Sequence, residues 1–207
     1  RTTIDDVVDI IREQAEHQVM SAAGLDEDED LFSPVRRAFR RRMIWLTINL
    51  ATAFLASSVV GQFQGTIAHL VSLAVLMPIV AGMGGNAGTQ VLALMVRGLA
   101  LGQIGSTNVM ALVWKEVRIA LINGVAIGLL LALIVLLWFR DPKLSLVIAL
   151  ALTINFTAAA LGGVFVPVMV KRFGFDPALA GGVILTTITD VMGFLSFLGL
   201  ATLILLR

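Results

Sequence analysis

Thr186-Thr187-Ile188-Thr189-Asp190-Val191-Met192-Gly193-Phe194 lies near the middle of the last apolar run of the chain. A run of roughly 20 such residues crosses a bilayer, so a single carboxylate falls near the midplane. An aspartate there costs roughly 2.5 to 3.5 kcal/mol on insertion scales and is expected to face water, a cation or a protein partner. Thr186 and Thr187 precede Asp190 by one turn and Gly193 follows by one turn, so one helix face offers a carboxylate, hydroxyls and bare backbone.

The rest of the composition fits a membrane setting. Hydrophobic residues make up 58% of the 207, and the mean hydropathy is +0.95, beyond what a domain with solvated faces reaches. The net charge of +1 hides a segregation. Asp5, Asp6, Asp9, Glu13, Glu16, Asp26, Glu27, Asp28, Glu29 and Asp30 precede the first span, and only Glu116, Asp141, Asp176 and Asp190 follow it. There is no cysteine, which excludes disulfides and thiolate metal sites. Arg1 to Ala23 is a polar helical pattern without a signal-peptide layout, so the start is expected to be a cut inside a longer protein.

Ile4, Val7, Val8, Ile11, Ala15 and Val19 recur at helical spacing among acids, which predicts an amphipathic cytosolic helix over residues 4–20. Gly24 ends it, and Asp26 to Asp30 with Ser33-Pro34 reads as a turn into a second, basic helix, Val35 to Arg42. Five apolar segments follow, at about 43–62, 67–96, 109–139, 144–170 and 178–206. Arg36, Arg37, Arg40, Arg41, Arg42, Arg97, Lys115, Arg118, Lys171 and Arg172 fall on one side, and Arg140, Lys143 and Arg207 on the other. By the positive-inside rule the N-terminus is cytoplasmic and the C-terminus outside. The expected fold is all-α, a polytopic membrane protein with five transmembrane helices preceded by the cytosolic helix. Residues 1–42 form the connecting region and basic lead-in, and 43–207 the transmembrane domain.

The second segment holds Pro78, then Gly82, Gly84, Gly85 and Gly88, a composition that predicts a kinked backbone with carbonyls exposed to a cavity. Gly82, Asn86 and Gln90 recur in steps of four and make a second oxygen stripe. Hard oxygen ligands without His or Cys suit Mg²⁺, Ca²⁺ or Mn²⁺. Asn155, Thr153, Thr157 and Asn123, taken singly, read as interhelical hydrogen bonds. The small-residue pairs Gly124/Gly128, Ala158/Gly162 and Ala159/Gly163 read as packing ridges. Glu116, between Lys115 and Arg118, reads as a surface ion pair, and His17 and His69 as ordinary polar positions. One carboxylate neutralises half a divalent ion, which points to a homodimer with two copies meeting on an axis. Mg²⁺ sheds water reluctantly, so such a pore would grip the hydrated ion.

Pro78-Ile79-Val80-Ala81-Gly82-Met83-Gly84-Gly85-Asn86-Ala87-Gly88-Thr89-Gln90 and Arg97-Gly98-Leu99-Ala100, with Thr186 to Phe194 and Phe197-Leu198-Gly199-Leu200-Ala201, resemble the MgtE magnesium channel/transporter family. The resemblance implies a homodimer in a bacterial inner membrane with the ion path on its two-fold axis. It implies that Asp190 is the selectivity carboxylate, that Asn86 and the Gly82 carbonyl help hold hydrated Mg²⁺, and that Thr186 contributes nearby. It further implies cytosolic N and CBS domains ahead of a connecting helix, and a regulatory Mg²⁺ role for Asp9, Glu13 and Asp176. Val183 stands where the family often has proline, which implies a straighter last helix.

The expected function is channel-like Mg²⁺ transport, with the lipid bilayer and Mg²⁺ as partners and no nucleic acid. The alternative is an ion-coupled divalent-cation antiporter or exporter with Asp190 as a proton or Na⁺ site. An intramembrane enzyme would need a second acid or base at similar depth, and the spans offer none. A purely structural anchor leaves Asp190 unexplained.

Overall fold

The computed structural model describes residues 34–105 and 108–206. The expected amphipathic helix, with Asp9 and Glu13, lies outside them. Among the described residues every regular element is helical: α1 (Val35–Gln62), α2 (Gln64–His69), α3 (Ser72–Ala100), α4 (Val109–Phe139), α5 (Pro142–Arg172) and α6 (Pro177–Leu205). Five of them, all but α2, are long and apolar enough to cross a membrane.

Two boundaries differ from the sequence reading. The basic lead-in and the first span form one unbroken helix, because no Gly or Pro stands between Val35 and Val60 and arginine is a strong helix former. The second segment is split instead. Leu70 leaves the helical region, with φ −136 and ψ 82, which ends α2 before α3 begins at Ser72. Hydropathy alone does not mark that break, since Leu70 and Val71 are themselves apolar.

Helix α5 is the central element. In its most apolar stretch 56% of residues are buried, against 6% in α1, which packs on the bundle through only a few residues. Direction follows from named contacts. Asp141 caps α5 by accepting from the backbone N–H of Lys143 at 2.9 Å and Leu144 at 3.2 Å, with Pro142 in the first turn. Arg140, left-handed at φ 53, closes α4 just before it. This short link turns α4 and α5 into an antiparallel hairpin. A Cβ at Gly124 would lie 2.9 Å from the Thr153 Cα, and one at Gly128 would lie 2.9 Å from the Ala149 carbonyl oxygen. These two positions are thus where backbones meet, as the small-residue spacing predicts. At the opposite end, the Lys171 Nζ donates to the Leu99 carbonyl at 3.1 Å, so α5 closes the C-terminus of α3.

Three apolar clusters stack along the bundle. The first joins Leu73, Leu76, Val80, Val147, Ile148, Phe197 and Leu198, with Val60 and Phe63 packed on it. The second centres on Leu152, Phe156 and Ala160, and the third on Met95, Val113 and Val164. Val60 at the end of α1 and Phe197 near the end of α6 share the first cluster, so α1 runs in the direction of α6. The helix ends bearing Arg36, Arg97, Lys115 and Lys171 therefore gather on one side of the bundle.

Helix α3 stays helical through Pro78 and all of its glycines, and those glycines that are buried serve as contacts. Gly88 faces Leu185, and Gly98 faces Ile104. Glu116 corrects an expectation. It is 7% exposed because it continues the stripe of Val113 and Ala120 that turns inward, while its partner Lys115 reaches out to solvent at 3.6 Å. Thr153 and Thr157 donate to Ala149 and Thr153 carbonyls of their own helix, not across helices. A back-bond within the same turn satisfies the hydroxyl at no cost in helix separation.

Because the Ala149 carbonyl cannot move aside as a flexible side chain can, Gly128→Leu is expected to destabilise the fold by about 1–3 kcal/mol. A lowered melting midpoint of the detergent-solubilised protein checks this.

Candidate ion site

Helices α3 and α6 meet in a fixed antiparallel register. A Cβ at Gly193 would lie 3.5 Å from Val80, at Gly85 4.0 Å from Thr189, at Gly88 3.1 Å from Leu185 and at Gly181 3.0 Å from Leu92. Each step forward on α3 matches a step back on α6. Asp190 thereby comes level with Met83, and the turn from Gly82 to Asn86 overlaps the turn from Thr186 to Asp190. The two oxygen-bearing stripes, far apart in the chain, share one depth.

They also share exposure. On α3 the positions Pro78, Gly82, Asn86 and Gln90 are open in steps of four, while Leu76, Val80, Gly84 and Gly88 are buried on the other side. On α6 Thr186 is open and Asp190 half-buried, while Leu185 and Thr189 turn inward. Nothing lies within 4 Å of where a Gly82 Cβ would stand, so its backbone is bare. No basic side chain among the described residues pairs with Asp190. Thr186 donates its hydroxyl to the Gly182 carbonyl at 2.9 Å, leaving the oxygen lone pairs for another donor or a cation.

Asp176 stands apart from this group. It caps α6, accepting from the Ala178 N–H at 2.9 Å, and lies fourteen residues before Asp190, roughly 21 Å along the helix axis. Among the described residues no three of His, Cys, Asp and Glu gather as a metal-holding group. The donor set at mid-depth is a lone carboxylate with amide, hydroxyl and carbonyl oxygens. Such a set suits a hard cation and too few charges to strip one of water. Helix α6 runs unbroken through Val183, the position where a proline is absent.

One polar residue behind the site reads from the sequence only as a packing bond. Asn155 of α5 is wholly buried and donates from Nδ2 to the Val80 carbonyl at 2.9 Å. It is indeed interhelical. Its location against both α3 and α6 depends on contacts between distant segments and has no local sequence signal.

The family model for MgtE, a divalent cation transporter, matches residues 77–200. The chain belongs to the MgtE family. The matched stretch runs from Met77 in α3 to Leu200 in α6 and includes Gly82, Asn86, Thr186 and Asp190. Relatives named magnesium transporter MgtE agree with it. One from Enterococcus faecalis is 32% identical over 200 residues, covering 97% of this chain and 44% of its own. One from Thermus thermophilus is 30% identical over 206 residues, covering 98% and 45%, and one from Bacillus subtilis is 29% identical over 200, covering 97% and 44%. The chain thus spans less than half the length of the relatives it matches. With its MgtE membership, the five long apolar helices make this an integral membrane protein.

The absence of native cysteine makes the exposed α3 stripe directly testable. Gly82→Cys and Asn86→Cys are expected to react with a charged, water-soluble thiol reagent in membranes, and Leu76→Cys to remain unmodified. Protection of all three would mean that the stripe faces lipid.

Proposed function

We propose that this chain is the membrane part of a homodimeric, channel-like Mg²⁺ transporter, with residues 43–207 as the pore domain. The observation that carries this reading is the uncovered oxygen stripe of Gly82, Asn86, Thr186 and Asp190, level with one another on the open side of a largely apolar bundle. An unpaired carboxylate at that depth calls for water and a cation. A second copy meeting the first along this face would double the carboxylates to match a divalent charge.

In this reading Asp190 attracts the ion, and Asn86, the Gly82 carbonyl and Thr186 hydrogen-bond to its water shell. Retaining the shell avoids the steep cost of dehydrating Mg²⁺ and lets the pore select on hydrated size and charge together. An inside-negative potential then favours inward movement by about 4.6 kcal/mol per 100 mV for a divalent ion, so no second energy source is needed. No acid–base partner accompanies Asp190 among the spans, so no enzymatic chemistry is proposed. Residues 1–42 would connect the pore to cytosolic N and CBS domains. Asp9 and Glu13 of that region, with Asp176 at the start of α6, would bind regulatory Mg²⁺. The basic helix ends support a reading with the N-terminus in the cytoplasm of a bacterial cell and the C-terminus outside.

Asp190→Ala is expected to abolish Mg²⁺ uptake in Mg²⁺-starved cells while the protein remains in the membrane and monodisperse. Uptake at the unsubstituted level would overturn the proposal. Currents through the purified protein that require a proton or Na⁺ gradient would replace the channel with an antiporter.

A further inference from the structure

The amide of Asn155, on α5, sits against both α3 and α6. Its Nδ2 donates to the Val80 carbonyl, two residues before Gly82. A Cβ at Gly193, three residues after Asp190, would lie 2.7 Å from the same nitrogen, and a Cβ at Gly84 would overlap the amide outright. Two glycines from two different helices thus make room for one side chain. The Oδ1 atom is buried and has no hydrogen-bond partner.

That orphaned oxygen argues against a purely stabilising role. Leaving a buried acceptor unpaired costs about 1–3 kcal/mol, so an apolar residue of similar volume would serve the fold better. What an apolar residue lacks is direction. Apolar contacts at glycines bring the helices together and set their register, and a hydrogen bond to one carbonyl adds a directional restraint on height and rotation that lipid-like side chains do not supply.

We infer that Asn155 is a positioning residue for the ion path: it pins α3 at Val80 and abuts α6 at Gly193, and so sets the spacing between Gly82/Asn86 and Thr186/Asp190. This inference rests on the pore reading above. Hydrated Mg²⁺ and Ca²⁺ differ in size and in how firmly they hold water, so a path held at fixed width discriminates between them and a path that drifts does not. Asn155 itself touches no ion.

The test measures Mg²⁺ and Ca²⁺ flux through the full protein in proteoliposomes, together with the melting midpoint. Asn155→Leu is expected to stay folded and to lower the Mg²⁺/Ca²⁺ flux ratio by about fivefold or more. Gly84→Ala, which displaces the amide without replacing it, is expected to do the same and carries the test if the leucine variant does not assemble or conduct. Gly128→Leu, a packing change away from the path, should lower the melting midpoint and leave the ratio alone. An unchanged ratio in the Asn155 and Gly84 variants, with or without loss of total flux, overturns the inference. If Asp190→Ala still abolishes uptake in that case, the pore reading stands and only the role of Asn155 falls. Normal uptake by Asp190→Ala removes the pore reading itself.

Discussion

A carboxylate held at bilayer depth must be solvated by something, and no basic side chain among the described residues does it for Asp190. The low dielectric of the hydrocarbon core makes an unpaired charge facing lipid untenable. The arrangement of the bundle answers this constraint. Helix α5 fills the centre and takes up the apolar faces of α3, α4 and α6, which leaves the polar side of α3 and the Asp190 side of α6 uncovered together.

Small residues make that arrangement feasible. Gly124 and Gly128 bring α4 onto α5, Gly163 brings α5 onto Val91 and the Gly88 carbonyl of α3, and Gly162 brings it onto Leu185 of α6. In lipid, close backbone approach supplies the dispersion contacts that water would otherwise reward through the hydrophobic effect. Polar contacts are few and placed where they orient rather than merely hold. Lys171 closes α3 at the basic end, Thr66 and Thr202 share a bond at 2.8 Å at the other, and Asn155 lies between them. Helix α1, exposing Leu46, Leu50 and Phe54, contributes little to the core of a single copy.

Much of this was legible in the chain. The spans at 109–139, 144–170 and 178–206 agree with α4, α5 and α6 to within a few residues, because length and hydropathy bound a transmembrane helix tightly. The glycine and asparagine stretch and the threonine and aspartate stretch both emerged as oxygen stripes from four-residue spacing alone. Less legible were local backbone and burial. The break at Leu70 has no Gly or Pro to announce it. Which glycines of α3 are buried against neighbouring helices and which stay open, as Gly88 and Gly82 do, composition alone does not say. Glu116 reads as a surface charge from its basic neighbours, but burial is set by the helix face it occupies, which includes Val113 and Ala120.

Hydropathy, charge asymmetry and helical periodicity are properties of neighbouring residues, and they were sufficient for the membrane class, the number of long apolar helices and the identity of the oxygen-bearing faces. Whether those faces share one depth was a different question. That follows from the register of α3 against α6, which is fixed by where glycines of one helix admit side chains of another and by a single amide reaching from α5 to the Val80 carbonyl. Contacts between segments so far apart in the chain leave no periodic trace along it, so folding alone brings Asp190 level with Gly82 and Asn86.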